Sequence, residues 1–293
     1  MQKITPHLWF DKEAKEATEF YVSLFPDSQV KNVRTIKNTP SGDCDIVRFD
    51  LAGEPFMAIS AGPYFKFNPP ISFFVTFESE EEVKKTWDKL IAGGQALMAY
   101  DTYPWAKKYG WLQDKYGLSW QLSWSEHHQF PQKITPLLMY TGANAGKTEE
   151  ALNFYTSIFP NSKINFTAHY EAGEGDKESF IKHAQFNLGD SHFMAMDSSG
   201  PHKFTFNEAV SLVVNCADQT ELDYYWEKLS AVPEAEQCGW LKDKYGVSWQ
   251  IVPTALNEMM TTSDQAQLDR VTQAFLKMKK FDIAKLKEAA EGK

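Results

Sequence analysis

The sequence predicts an α+β fold built twice over, and three observations predict it. The chain has 293 residues, about twice the 100–150 of an ordinary domain. Short motifs of its first half return in its second half, in order and at a nearly constant offset. Inside each half, apolar runs with strand character alternate with helically spaced ones, giving strand–helix–strands twice per copy. The copies span residues 1–128 and 129–256, and a helical tail covers 257–293.

The repeat opens with KITP, at Lys3 to Pro6 and again at Lys133 to Pro136. Phe20-Tyr21 and Phe25-Pro26 return as Phe154-Tyr155 and Phe159-Pro160, with the extra residues of the second copy placed in the loop Thr141 to Gly146, where an insertion costs little. FDLAGEPFMA (Phe49 to Ala58) returns as FNLGDSHFMA (Phe186 to Ala195). The strongest match sets GWLQDKYGLSWQL (Gly110 to Leu122) against GWLKDKYGVSWQI (Gly239 to Ile251), identical at ten of thirteen positions, which chance does not produce. Between the copies runs a polar linker, Ser125 to Gln132.

Each element has a local reason. Ile4 to Phe10 reads as a strand; Ala14, Ala17, Phe20, Tyr21 and Leu24 then recur at helical spacing until Pro26 ends the helix. The turns at Ala52-Gly53-Glu54 and Gly189-Asp190 favour hairpins. Ile71 to Phe77 and Val210 to Asn215 are strands; each leads into a helix opened by a capping box, Ser79 with Glu82 or Asp218 with Glu221. Val83, Trp87 and Leu90 give the buried stripe of one helix, and Leu222, Trp226 and Leu229 that of its counterpart. Leu118 to Trp124 and Val247 to Val252 close the copies as strands. In the tail, Leu268, Val271, Phe275 and Met278 form one apolar stripe, and Phe281, Ile283 and Leu286 another after a break near Asp282. That pattern predicts two amphipathic helices packed on the chain's own domains, with a dimer contact as the second use.

Composition narrows the function classes. A formal charge of −9 without any basic run argues against a nucleic-acid partner. No leader pattern and no long apolar run point to a membrane, so a cytoplasmic location is expected. The three cysteines, Cys44, Cys216 and Cys238, fit no zinc or disulfide spacing and read as buried or idle thiols.

The order of elements, the Phe-Tyr ending the first helix and the D-K-Y-G-x-S-W-Q run resemble the vicinal oxygen chelate superfamily of glyoxalase I, extradiol dioxygenases and bleomycin-resistance proteins. ITP, FYxSxFPxS, the Phe206 to Ser211 segment and GWLxDKxGxSWQ are similar, more narrowly, to PhnB-like proteins. The resemblance implies two βαβββ modules per domain, forming a curled mixed sheet around a cavity. In metal-dependent relatives, ligands come from the first strand of each module and the last strand of the domain. Here those positions fall on His7 and Leu137, Ser72 and Ser211, and Gln121 and Gln250. Amide and hydroxyl oxygens are weak ligands beside carboxylates, so the triad is absent and His7 is its one plausible member. No cofactor is predicted, a divalent metal being the alternative. Proteins of this pattern are also labelled demethylubiquinone methyltransferases, but no Gly-rich strand-to-helix turn with a following acidic residue is present to cradle an adenosyl group.

The cavity candidates are His7, Arg48, Ser72 and Gln121 in the first copy and His183, Gln185, Ser211 and Gln250 in the second. His183, Gln185 and Asn187 alternate with Ala184, Phe186 and Leu188 and so share one strand face. Copy one places Ile46, Arg48 and Asp50 there, so the two cavities are expected to differ. Arg48 suits an anionic ligand or a nearby carboxylate such as Asp50. Trp120 and Trp249 read as core, His192, His202 and the linker pair His127-His128 as solvated or idle, and Asp114 to Gly117 as a charged turn. The expected function is small-organic-ligand binding without a tightly bound metal; the alternative is a metal-assisted lyase, isomerase or dioxygenase, and in a third reading one copy only braces the other. The chain is expected to be a monomer with an internal pseudo-dimer, or a homodimer.

Overall fold

The computed structural model describes residues 2–39, 41–125, 131–260, 262 and 264–293; His127 and His128 lie outside them. The first module contains β1 (Ile4–Phe10), α1 (Ala14–Val22), β2 (Gln29–Thr39), β3 (Gly42–Leu51) and β4 (Glu54–Ser60). The second contains β5 (Ile71–Phe77), α2 (Glu80–Ile91), β6 (Gln95–Tyr103), β7 (Ala106–Gln113) and β8 (Ser119–Trp124). In the second copy follow β9 (Ile134–Tyr140), α3 (Thr148–Ile158), β10 (Lys163–His169), β11 (Ile181–Leu188) and β12 (Ser191–Asp197). The fourth module has β13 (Val210–Cys216), α4 (Gln219–Leu229), β14 (Trp240–Lys242) and β15 (Ser248–Pro253). The tail carries α5 (Thr254–Met259), α6 (Gln265–Phe275) and α7 (Ile283–Glu291), one helix more than expected. No helix among the described residues is long and apolar enough to cross a membrane.

Local chemistry explains the boundaries. Ser79 accepts from the Glu82 amide at 3.2 Å, and Asp218 from the Glu221 amide at 2.9 Å, so both capping boxes form as the sequence implies. Ala52 and Gly53 turn the β3–β4 hairpin with positive φ.

The strands form two curled mixed sheets. In the first the order is β14-β15-β13-β1-β4-β3-β2, and in the second β10-β11-β12-β9-β5-β8-β7-β6. Each sheet therefore joins one module of the first copy to one of the second. β1 meets β13 antiparallel, with His7 opposite Ser211; β5 meets β9 antiparallel, with Ser72 opposite Leu137. The fold class is the expected one, but the modules sharing a sheet belong to different copies.

The apolar core runs continuously through both copies; what each copy keeps to itself is a hydrogen-bonded cluster between the sheets. Tyr21 on α1, in the first sheet's layer, donates its hydroxyl to Asp114 in the second sheet's layer at 2.7 Å. The other donors to Asp114 are Trp120 Nε1 at 2.9 Å and the amides of Tyr116 and Leu118 at 2.9 and 3.0 Å. Copy two repeats the cluster around Asp243 with Tyr155, Trp249 and the amides of Tyr245 and Val247, at 2.7 to 3.0 Å. Asp114 and Asp243 are 3 % and 1 % exposed, so within the run read as a charged turn the aspartate is a buried hub while Lys115 and Lys244 are exposed. Burial raises the pKa of both, and the converging donors work in the opposite direction. Trp120 and Trp249 are fully buried, as expected of core.

One departure from the repeat shapes the rest. Twenty residues separate Leu90 from Gly110, but only ten separate Leu229 from Gly239, so the fourth module has no strand matching β6. The tail supplies the missing edge: the Cys238 and Gly239 amides donate to the carbonyls of Met278 and Lys279 at 2.8 and 2.7 Å. Buried Phe281 and Leu286 anchor it, so the tail packs on its own chain.

Candidate functional site

Beneath the tail, the concave face of the first sheet encloses a cavity of about 550 Å³, within the range of small-ligand sites. β1 contributes His7 and Trp9, whose side chains project to the same face by the period of the strand. β2 and β3 contribute Arg34 and Arg48; β15 contributes Gln250, and α5 and α6 close the top with Asn257 and Phe275 among others.

The floor is polar. Gln250 donates to Ser211 Oγ at 2.9 Å, and Ser211 lies opposite His7. His7 is 3 % exposed, and its Nδ1 has no hydrogen-bond partner. Desolvation pushes its pKa down to about 3, so the ring is neutral near pH 7. The indole of Trp240 meets it edge-on at 5.6 Å between ring centres. Arg48 donates to Asn257 Oδ1 and Arg34 to the carbonyl of Thr262, both in the tail. Asp50, named as a partner for Arg48, pairs with Lys31 instead. Cys44 is buried and Cys238 half-buried, both on the cavity wall, and Cys216 is buried elsewhere; all three are free thiols.

The second sheet presents the same frame with a different filling. Leu137 and Met139 stand where the first sheet has His7 and Trp9, and with Met194 they form a packed cluster joined by Phe74, Trp111, Met196 and Phe204. Gln121 donates to Ser72 at 2.9 Å, matching Gln250 and Ser211, but it also accepts from the buried Tyr109 hydroxyl at 2.8 Å. Cys238 occupies the position of Tyr109. Trp111 Nε1 donates to Ser119 Oγ at 2.8 Å, whereas Ser248 Oγ, the counterpart, is buried without a partner. A second hollow, of about 480 Å³, lies beside β11 and β12 and is lined by Gln185, Asn187 and His192. His183 and Gln185 sit 3.2 Å apart, Nε2 to Nε2. His192 is half-buried, and His202 is held by Ser198 at 2.7 Å and stacked on Phe204, so neither is simply solvated.

The eight sequence candidates thus divide differently from the expectation. Because the sheets cross between copies, His7 and Arg48 join Ser211 and Gln250 on one face, and Ser72 and Gln121 join His183 and Gln185 on the other. Sequence reasoning missed Arg34, Trp240 and Asn257; the odd replacement of Tyr109 by Cys238 within a near-identical repeat was the available signal.

The fold implies a metal position, which can be tested against these side chains. His7 has Met57 beside it on β4 and Ser211 beside it on β13, with Gln250 bonded to Ser211. One imidazole, a thioether, an engaged hydroxyl and an amide do not fit a divalent ion. On the second sheet even the imidazole is replaced, by Leu137. Among the described residues no three His, Cys, Asp or Glu side chains converge to hold one.

Comparison with known proteins adds the following. The family described as 3-demethylubiquinone-9 3-methyltransferase matches residues 2–123 and 132–252, one match per copy. A PhnB protein from Bacillus cereus is 41% identical over 42% of this chain and 100% of its own, with a TM-score of 0.40. A point mutant of glyoxalase I from Zea mays is 12% identical, covering 87% of this chain and 95% of its own, with a TM-score of 0.55. Glyoxalase I from the same plant gives 10%, 84%, 92% and 0.54. These two establish the glyoxalase-type fold across both copies. No curated protein matches.

Proposed function

The chain belongs to the PhnB-like family described as 3-demethylubiquinone-9 3-methyltransferase, in tandem form on the vicinal oxygen chelate fold, and from that premise we propose that it binds a small organic molecule in the cavity under its tail, without a tightly bound metal. One observation carries the reading: His7, Met57 and Gln250 face the cavity, Gln250 is bonded to the buried Ser211 behind it, and the buried Nδ1 of His7 is a neutral imidazole nitrogen without a partner. Aromatic walls with a few fixed polar groups suit an organic ligand held by contact and hydrogen bonding. The family's methyltransferase description gains no support from this floor, which has no phosphate-cradling or adenosyl-binding turn.

A second reading, metal-assisted lyase, isomerase or dioxygenase chemistry, is favoured by one observation, the free Nδ1 of buried His7. Elemental analysis separates the two. Protein purified without chelator is expected to carry well under one divalent metal per chain, and added Ni, Mn or Zn to move the Tm by less than about a degree. A stoichiometric ion with a Tm rise of several degrees, lost in His7→Leu, establishes the second reading in place of the first.

A further inference from the structure

Charge is distributed unevenly over this chain. Of its 30 cationic residues only Arg34, Arg48 and Arg270 are arginines, and two of the three line the cavity under the tail. Arg270 is spent on the tail, donating to the carbonyls of Ala289 and Ala290 at 3.0 Å. Arg34 and Arg48 are diagonal neighbours on one face of the β2–β3 pair; partial burial lowers the pKa of Arg48, and the like charge of Arg34 adds to the lowering. Among the described residues neither guanidinium is in an ion pair; each is held only by a neutral oxygen of the tail. The two acidic residues on the wall do not answer them: Glu208 pairs with Lys242 at 2.8 Å, and Glu234 is exposed at the rim. Beside the arginines are buried His7 with its unpartnered nitrogen and the rings of Trp9, Phe65 and Trp240.

Two like charges held together in a half-buried wall cost free energy unless an anion comes between them, and a planar guanidinium fork suits an oxyanion better than an ammonium does. We propose that the ligand of this cavity is an organic acid, an apolar or aromatic body carrying an anionic head, with the head on Arg34 and Arg48 and the body against Trp9, Phe65 and Trp240. The inference rests on the reading of this cavity as a small-molecule site and adds the ligand's charge and its orientation. Asn257 and the Thr262 carbonyl are then place-holders, displaced from the arginines when the anion arrives, so ligand entry loosens the hold of the tail on β2 and β3.

Two fluorescent probes of nearly the same body test it: anilinonaphthalene sulfonate, which is anionic, and N-phenylnaphthylamine, which is neutral. Two charge-assisted contacts are expected to make the sulfonate bind about tenfold tighter than the amine, a preference that shrinks with added salt. Arg34→Gln and Arg48→Gln, which keep a donor for the tail, are expected to remove most of the preference while leaving the amine's affinity within about twofold, and Arg48→Lys to retain most of it. Equal affinity of the wild-type protein for both probes overturns the charge assignment while the small-molecule reading stands. Binding of neither probe overturns both. Sulfonate binding undiminished in the double Arg34→Gln, Arg48→Gln variant places the anion elsewhere and also overturns the assignment. Should that variant fail to fold, the salt series on the wild-type protein decides.

Discussion

The two concave faces are built on one backbone plan, and they differ in what fills them. On the second sheet the part of the face that matches the cavity is occupied by the chain itself, and the hollow that remains lies aside, by β11 and β12: Leu137, Met139 and Met194 pack together, the Tyr109 hydroxyl satisfies Gln121, and the Trp111 indole is tied to Ser119. On the first sheet His7 and Trp9 replace the leucine and methionine, Cys238 replaces the tyrosine, and Ser248 is left without its indole partner. Removing one large side chain and untying another opens a hollow, and the tail roofs it. The comparison teaches that the shared features of the copies are structural, whereas the positions at which they diverge hold the chemistry.

If that division is right, the buried aspartates should matter equally and most. Asp114→Ala and Asp243→Ala each strip the partners from a Tyr, a Trp and two amides, and each is expected to cost about 3–5 kcal/mol in urea denaturation. A cost confined to one copy breaks the claim that the hubs are common framework.

The tail should matter to one face alone. A Cβ added at Gly239 would lie 2.4 Å from the Phe281 ring and 3.1 Å from the Ile251 carbonyl, at a φ of +82°. Gly239→Ala is therefore expected to cost about 2–3 kcal/mol. Hydrogen exchange should quicken in residues 264–291 and around Cys238, with Leu137 and its neighbours unaffected; uniform quickening would mean that the tail braces both sheets.

Exchanging a single floor residue sharpens the comparison further. His7→Leu copies the second sheet's Leu137 into the first and is expected to change stability by about 1 kcal/mol or less at pH 7, where the imidazole is neutral in both states. The sign at lower pH follows from the depressed folded pKa of about 3. Between the ordinary histidine value near 6.5 and about 3, the unfolded chain takes up a proton that the folded chain does not, so the wild-type protein loses stability as pH falls through that window. The variant lacks this loss and should become the more stable form by pH 4 to 5. Parallel pH–stability curves for the two proteins would show that His7 is protonated in the fold.

Much of this was legible from sequence, for particular reasons. The repeat, the strands and both capping boxes follow from spacing and local hydrogen-bonding demands. The grouping of modules into sheets was not legible, because both copies end in nearly the same strand-and-turn segment and offer equivalent edges to β1, β5, β9 and β13. Burial of Asp114 and Asp243 was hidden because a charged turn reads as solvated until the Tyr and Trp donors are known to converge on it. The roof of the cavity was hidden by separation: Arg48 and Asn257 are 209 residues apart.

The central claim, one ligand site per chain at the first face, is tested most directly by the stoichiometry of a neutral probe. Titration with N-phenylnaphthylamine is expected to give one site per chain, lost when Ile46→Trp fills the hollow under the tail and retained when His183→Trp is made at the matching position of the second sheet. Two equal sites, or a site removed by His183→Trp and unaffected by Ile46→Trp, would contradict the account.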